Sequence, residues 1–302
     1  MTPKDMLLGL AIIFVWGFNF VVIRWGLDEL TPMMLGGLRF VGIAAIGSFF
    51  FSFPKTPLKW VILYALTLNF GQFALLFLAM EFGMPAGLAS LVLQSQAIFT
   101  LLFATLFLKE CVRPYQLLSI GVAAIGLAII GLNNANTTMT ALGFAITLAA
   151  AASWGLGNIV TKTISKKGYD SNVNLVVWAS WIPPIPFFLG AYFIDGADVM
   201  WSNLIHINWK AIATLFYLSV AASIIGYGLW NYLMSRYSAG TVAPLTLGVP
   251  VVGLTSAALI LNEEISSFQW LGIALVLTGL VMNTLGGRWL ARRDNQKASK
   301  EQ

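Results

Sequence analysis

The sequence is poor in the side chains on which most catalytic and metal sites depend. Only one cysteine, Cys111, and one histidine, His206, occur among its 302 residues. A lone cysteine closes no internal disulfide, and a lone histidine forms neither an H-E-x-x-H pair nor a zinc site without further His or Cys ligands. No glycine-rich loop that ends in Lys-Ser or Lys-Thr is present. The sequence therefore predicts a protein that is not an enzyme and that carries neither a metal nor a cofactor.

Charged residues are also scarce. They make up 10% of the chain, and hydrophobic residues make up 58%, whereas a soluble domain carries about 25% charged residues. Ten hydrophobic stretches approach the roughly 20 residues that a membrane-spanning helix needs, and they alternate too little for barrel strands. We therefore predict an all-α integral membrane protein with ten transmembrane helices. The predicted spans are Met6–Ile23, Met33–Phe53, Trp60–Met80, Ala86–Leu108, Tyr115–Leu132, Thr140–Val160, Leu175–Ile194, Ala211–Met234, Thr241–Leu261 and Phe268–Gly286.

The second half of the chain repeats the first. Residues 101–127 and 254–280 align without gaps at an offset of 153 and share 10 of 27 residues. The identical pairs include Glu110/Glu263, Gln116/Gln269 and Gly126/Gly279. Each half, 1–133 and 139–287, holds five predicted spans, and the two are joined at Asn133–Met139. Because five is odd, the second copy is inverted in the membrane, and this arrangement is typical of transporters with a midplane site and alternating access.

The basic residues predict the orientation of the chain. With ten spans, both termini and four connecting loops fall on one side of the membrane, and that side holds fourteen of the 17 Lys and Arg residues. Cytoplasmic loops carry such an excess, so both termini are predicted to be cytoplasmic. The net charge of +5 and the basic tail 288–302 then serve topology and contact with membrane lipid, and nucleic acid is not predicted as a partner. Specific binding of nucleic acid or of lipid headgroups by the tail is the alternative to a topology anchor.

Amides, hydroxyls and tryptophans lie inside the predicted spans. Polar side chains are costly in hydrocarbon, so they usually face a bundle interior or a water-filled path. For a single residue, an interhelical hydrogen bond is an equally good explanation, and for the tryptophans tight packing is the alternative. For the set as a whole we predict one substrate cavity. Its candidate residues are Trp16, Asn19, Asn69, Gln72, Ser90, Gln94, Trp154, Asn158, Tyr227 and Trp230.

Arg39 is the one charged side chain well inside a predicted span. It either pairs with an external acid such as Glu29 or Glu81, or it binds a substrate carboxylate. No Asp or Glu lies mid-membrane, so coupling to protons would depend on carboxylates at the span ends.

Two further features concern movement. Glu110 and Glu263 end the fourth and ninth predicted spans and are candidate gate contacts, with helix capping as the alternative. Pro244 and Pro250 weaken the backbone ladder of the ninth span and are candidate hinges.

The chain resembles the EamA family of the drug/metabolite transporter superfamily. Residues Trp16–Phe20 (Trp-Gly-Phe-Asn-Phe) are similar to the opening motif of the family, and the paired glutamate–glutamine blocks are similar to its repeated signature. Within the family, the stretches Gly83–Gln94, Gly226–Trp230 and Val242–Leu245 are similar to the branch that exports cysteine and O-acetylserine. The chain departs from the family at Ala97, where a proline is common.

This resemblance implies an exporter in the inner membrane for small neutral amino-acid metabolites. It also implies that spans 1, 3, 4, 6, 8 and 9 surround a central cavity, with spans 5 and 10 at the periphery. Aromatic amino acids, drugs or phosphorylated sugars remain alternative cargoes, although phosphorylated cargo calls for several buried cations and only Arg39 is available. A membrane enzyme or assembly subunit would need catalytic side chains or large loops, which the sequence does not show. Protons remain open as the coupling ion.

Overall fold

A computed structural model describes residues 1–132, 139–237 and 239–298, and within them the chain is helical, without strands. Eight of the described helices are long and apolar enough to cross a membrane, and two shorter apolar helices accompany them. In chain order they are α1 (Pro3–Leu27), α2 (Pro32–Gly47), α3 (Leu58–Glu81), α4 (Ala86–Leu108), α5 (Pro114–Leu132), α6 (Ala141–Lys166), α7 (Val173–Asp195), α8 (Trp209–Arg236), α9 (Pro244–Ile260) and α10 (Ser267–Ala298), with Ser267–Gly286 as the apolar part of α10. Eight of the ten predicted spans thus coincide with helices that are long enough to cross a membrane, and the set of ten transmembrane helices, with α2 and α9, stays a prediction. Residues 133–138 of the joint and 299–302 of the tail lie outside the described residues.

The ends of the helices follow from local sequence. Thr2 and Thr31 accept hydrogen bonds from the first turns of α1 and α2, and a proline follows each of them. This is a favourable start, because the threonine oxygen satisfies a free N–H and proline fits the first helical position. Helix α2 ends at Gly47, six residues before the predicted end at Phe53. Pro54 disfavours helix at the residue before it, so the apolar run contains a turn.

The backbone carries the same irregularities at equivalent positions of the two halves. Lys109 after α4 and Asn262 after α9, which are 153 residues apart, have φ angles of 54° and 53°. Such left-handed residues are uncommon outside glycine. A π-helical stretch interrupts α3 at Ala65–Gly71 and α8 at Tyr217–Ile225. The repeat that is visible in the sequence therefore extends to the local geometry.

A 3₁₀ stretch lies inside α4, and another lies at the start of α9. They cover Leu93–Ser95 and Ala243–Leu247, respectively. Pro244 lies in this stretch, and Pro250 is the third residue of the regular helix that follows it. Because α4 breaks at Leu93–Ser95 without a proline at position 97, proline is not the only cause of the irregularity. Such stretches in mid-helix often mark hinges, so the hinge role of both prolines stays a prediction.

Helices at equivalent places in the two halves pack against each other and run antiparallel. In the pair α2 and α7, Gly36 faces Phe187 and Gly47 faces Val177. In the pair α4 and α9, Gly87 faces Ala257, and farther along α4 Ser90 faces Gly253 on α9. In both pairs the residue number rises along one helix while it falls along its partner.

Helices α5 and α10 pack backbone to backbone through Gly126 and Gly279. A Cβ atom on Gly126 would lie 2.6 Å from the carbonyl oxygen of Gly272, and one on Gly279 would lie 2.6 Å from that of Ser119. Gly126 and Gly279 are 153 residues apart, and so are Ser119 and Gly272. Each contact is therefore the repeat equivalent of the other, as expected for a self-complementary two-fold interface. In the described structure this pair packs mainly on itself, and the other eight helices form the body around the central cavity.

Candidate functional site

A central cavity of about 140 Å³ lies among α1, α2, α3, α4, α6, α8 and α9. A space of that size holds about four to five waters. Amide, hydroxyl, indole and guanidinium groups converge on it, together with apolar side chains. The lining residues are Trp16, Asn19, Phe20, Arg39, Gln72, Phe73, Leu76, Ser90, Leu93, Gln94, Gln96, Trp154, Ala222, Tyr227, Thr246 and Val249.

Seven of the ten residues predicted for a substrate cavity line this one space: Trp16, Asn19, Gln72, Ser90, Gln94, Trp154 and Tyr227. Asn69, Asn158 and Trp230 are not among its lining residues. Gln96 and Thr246 line it and were not predicted. Residues two apart, such as Gln94 and Gln96, point to different sides of a regular helix, so spacing gave no signal for Gln96, which follows directly on the 3₁₀ stretch Leu93–Ser95.

The π-helical stretch of α8 holds the aromatic wall of the cavity. The indole Nε1 of Trp16 donates to the carbonyl oxygen of Ala222 at 2.9 Å. Its ring contacts Tyr227 and Trp230, with centroids 5.4 and 5.5 Å away. A π-helical turn leaves carbonyl groups free for outside donors, and such turns are frequent at functional sites. Trp230 therefore supports the wall by packing on Trp16.

Asn158 joins two helices. Its Nδ2 donates to Gln96 Oε1 at 2.7 Å and to Thr100 Oγ1 at 3.0 Å. The geometry is that of the interhelical hydrogen bonding that the sequence left open as an alternative, and such bonds contribute about 0.6–2 kcal/mol each. They also hold Gln96 in place at the wall of the cavity.

Arg39 is buried, with 3% of its surface exposed. Its Nη2 donates to Ser223 Oγ at 3.2 Å, and its guanidinium carbon lies 4.0 Å from the ring centroid of Phe73. Among the described residues it pairs with neither Glu29 nor Glu81, and Glu29 instead lies 3.9 Å from the Lys210 amine. A buried charge with no acidic partner among the described residues costs several kcal/mol, so the position of Arg39 in the cavity wall indicates a functional role.

The two repeat-equivalent glutamates make different contacts. Glu263, after α9, accepts from the backbone N–H groups of Ala86 and Gly87 at 2.6 and 2.9 Å. Burial raises the pKa of Glu263, and the two backbone hydrogen bonds oppose that shift.

Glu110, after α4, instead accepts from Lys162 and Lys166 at 2.6 and 2.9 Å. These hydrogen bonds lower the pKa of Glu110. Glu263 therefore caps the start of a helix and Glu110 pairs with two lysines, although the two glutamates occupy equivalent positions in the repeat.

A larger groove, of about 450 Å³, lies between α1 and α8. Its walls are mostly apolar and include Trp25 and Trp209, both exposed on the outer surface of the bundle. Asp28, Glu29 and Lys210 supply its charged groups. Although this groove is larger, we assign the site to the central cavity, because buried polar residues of four helices, Asn19, Arg39, Gln72 and Ser90, line it.

The remaining reactive side chains are isolated. Cys111 and His206 are both exposed, and His206 contacts only its own helix turn at Ser202 among its described hydrogen bonds. In the part of the chain that the structure describes, no three His, Cys, Asp or Glu side chains come together in a way that could hold a metal ion.

The sequence matches the EamA-like transporter family over residues 4–132 and again over 141–285. It is 46% identical over 293 residues to a probable amino-acid metabolite efflux pump of Escherichia coli (strain K12), covering 96% of this chain and 97% of that protein. It is 46% identical over 292 residues to a protein of the same description from Salmonella typhimurium, covering 95% and 97%. An uncharacterized transporter, YoaV, of Bacillus subtilis is 24% identical, covering 93% and 97%.

A solved crystal structure shares the fold. It superposes with a TM-score of 0.63 at 17% identity and covers 94% of this chain and 98% of its own. The apolar helices, the central polar cavity and these relatives agree with the predicted family and with a multi-pass membrane transporter rather than an enzyme. The chain belongs to the EamA-like transporter family.

Proposed function

We propose that this protein exports small neutral amino-acid metabolites, with cysteine and O-acetylserine as cargo, across the inner membrane. The observation that carries the proposal is the size and chemistry of the central cavity. A cavity of about 150 Å³ accepts a molecule the size of benzene, so 140 Å³ suits a small amino acid better than an aromatic one or a sugar phosphate. The two relatives described as probable amino-acid metabolite efflux pumps support the same class of cargo.

We propose further that residues 1–133 and 139–287 are inverted copies that alternate in access to the cavity. The antiparallel contacts of α2 with α7, of α4 with α9 and of α5 with α10 support this arrangement. The shared left-handed residues Lys109 and Asn262 support it as well. In this arrangement both termini are cytoplasmic, and α2 and α9 complete ten spans.

In this proposal the gate is formed by Glu263 and Glu110, which occupy equivalent positions but have different partners. Glu263 joins the loop after α9 to the start of α4 and holds that end of the bundle together. By the offset of 153, the helix start at Ala239–Val242 is the equivalent position for Glu110. In the opposite conformation, Glu110 leaves Lys162 and Lys166 and caps that helix start, while Glu263 releases α4. Protons are a candidate coupling ion through these two carboxylates.

Export of larger cargo, such as aromatic amino acids or drugs, is the alternative within the same fold. The groove between α1 and α8, at about 450 Å³, has the volume for it. Its position on the outer surface, away from the cavity where the helices converge, makes it the less favoured site.

Reconstitution in proteoliposomes tests the proposed cargo. Purified protein should move labelled cysteine and O-acetylserine, and an imposed pH gradient should change the rate if protons are coupled. Asn19→Leu and Gln94→Leu should abolish the flux and leave folded protein. Thr105→Leu, on the exposed face of the same helix as Gln94, is the matched control and should transport normally. A flux equal to that of protein-free liposomes would overturn the proposal.

A further inference from the structure

The central cavity contains buried hydrogen-bonding groups of both kinds without a partner in the described structure. Arg39 has two unpaired donor atoms, Nε and Nη1. Asn19 Oδ1 and Gln72 Oε1 are unpaired acceptors. All three side chains line the cavity, and none is more than 8% exposed. Because buried polar groups in proteins are almost always hydrogen-bonded, this set indicates a ligand that supplies both an acceptor and a donor.

The Arg39 guanidinium is held in one orientation. Nη2 donates to Ser223 Oγ, and that hydroxyl donates in turn to the carbonyl oxygen of Leu218 at 2.8 Å. The face of the guanidinium lies over Phe73. In addition, Ser219 Oγ donates to the backbone carbonyl oxygen of Arg39 at 2.9 Å and fixes this part of α2 on α8. A guanidinium fixed in this way holds its unpaired donors, Nε and Nη1, in fixed directions in one plane, and a guanidinium is well suited to bind a carboxylate.

The two amide oxygens suit an ammonium group. Asn19 lies on α1 and Gln72 on α3, so the acceptors come from two helices. An ammonium group has three donors and no acceptor. Among the residues that the structure describes, no Asp or Glu lines the cavity. Neutral amide oxygens therefore accept from an ammonium group without neutralising Arg39, which stays available for an anion.

We propose that the cavity binds a free α-amino acid by both of its charged groups. The carboxylate accepts from an unpaired donor of the Arg39 guanidinium, Nε or Nη1, and the α-ammonium bonds to Asn19 Oδ1 and Gln72 Oε1. Derivatives that are acylated on the side chain keep both groups and are accepted. Amines without a carboxylate are rejected, because the buried charge of Arg39 then faces another cation. This assignment rests on the proposed function and names the chemical requirement of its cargo.

Three small thiols test the assignment on the unmodified protein. Cysteine has both charged groups, cysteamine lacks the carboxylate, and mercaptopropionate lacks the amine. Each competes with labelled cysteine for the purified protein under reducing conditions. We expect cysteamine and mercaptopropionate each to bind weaker than cysteine by about tenfold or more. Cysteamine that binds as tightly as cysteine would overturn the role of Arg39, and equal binding of mercaptopropionate would overturn that of the amides.

Two variants test which residues produce the preference for cysteine over cysteamine and mercaptopropionate. Arg39→Gln should lower cysteine affinity to that of cysteamine, and Gln72→Leu should abolish the preference for cysteine over mercaptopropionate. Arg24→Gln is the matched control, because it removes an exposed arginine outside the cavity and should keep both preferences. Preferences that persist in Arg39→Gln and Gln72→Leu overturn the site. If either variant fails to fold, the three-ligand comparison on the unmodified protein decides alone.

The outcomes separate this assignment from the proposed function. Cysteine flux in proteoliposomes with no preference among the three thiols would overturn the two-ended site and leave amino-acid export standing. The absence of both binding and flux of cysteine in the unmodified protein would overturn the proposed function and, with it, this site.

Discussion

Glu263 accepts a hydrogen bond from the backbone N–H of Gly87 at 2.9 Å, although 176 residues separate them in the chain. The contact joins the end of α9 to the first turn of α4. The first N–H groups of a helix have no partner within the helix, and a carboxylate there is also favoured by the helix dipole. One side chain thus satisfies two free donors and closes one end of the bundle.

Removal of this cap should destabilise the protein. Glu263→Ala leaves the N–H groups of Ala86 and Gly87 without their acceptor, and loss of a cap costs about 1 kcal/mol. We expect a lower melting temperature of the purified protein in detergent. Glu264→Ala is the matched control, since Glu264 is its exposed neighbour and should melt like the unmodified protein. Equal melting of both variants would show that the cap contributes nothing.

The two equivalent glutamates should give opposite pH dependences. The folded-state pKa of Glu263 is raised, so the proton-linked part of its contribution to stability is full below the ordinary value of about 4.3 and is lost as pH rises through the folded pKa. The pKa of Glu110 is lowered, so its contribution is present above about 4.3 and is lost as pH falls through the folded pKa. The test is the difference in melting temperature between each variant, Glu263→Gln or Glu110→Gln, and the unmodified protein. It is measured from about pH 3 to 7, the range in which these carboxyl groups titrate, and it checks the direction of both pH dependences. If the two differences in melting temperature changed in the same direction with pH, the opposite pKa shifts would be contradicted.

Cys111 offers a direct test of orientation. It is exposed, it is the one cysteine in the chain, and it lies in the loop after α4 that we assign to the cytoplasm. A membrane-impermeant maleimide should label it in inverted vesicles and leave it unlabelled in intact cells. Ser202→Cys in a Cys111→Ser background should behave in the opposite way, because residue 202 is exposed after α7. Labelling of Cys111 from outside would reverse the topology.

The α5–α10 interface should tolerate no side chain at Gly126. A methyl group there would lie 2.6 Å from a carbonyl oxygen that belongs to the opposite backbone. Overpacking of this kind costs about 1–3 kcal/mol, so Gly126→Ala should melt at a lower temperature. Gly121→Ala on the same helix is the control, because a Cβ there meets nothing within 4 Å. It should melt at or above the temperature of the unmodified protein, since alanine favours helix.

The sequence alone predicted the helices, the repeat and the family. Apolar runs of this length have few alternatives to membrane helices, and the identities around Glu110 and Glu263 revealed the duplication. Polar residues inside apolar runs also pointed to Asn19, Gln72 and Gln94 at the cavity, because burying such groups away from a partner is costly.

Only the tertiary structure decided which of these polar residues meet. The sequence predicts Asn158 at the cavity, but the packing of α6 against α4 brings it to Gln96 and Thr100 instead. Each residue turns a helix by about 100°, so the π-helical and 3₁₀ stretches of α3, α8, α4 and α9 redirect every face beyond them. These irregularities have no clear composition signal. The packed helices were also needed to show that Arg39 has no acidic partner in the described part of the chain, and that Glu110 and Glu263 have different partners.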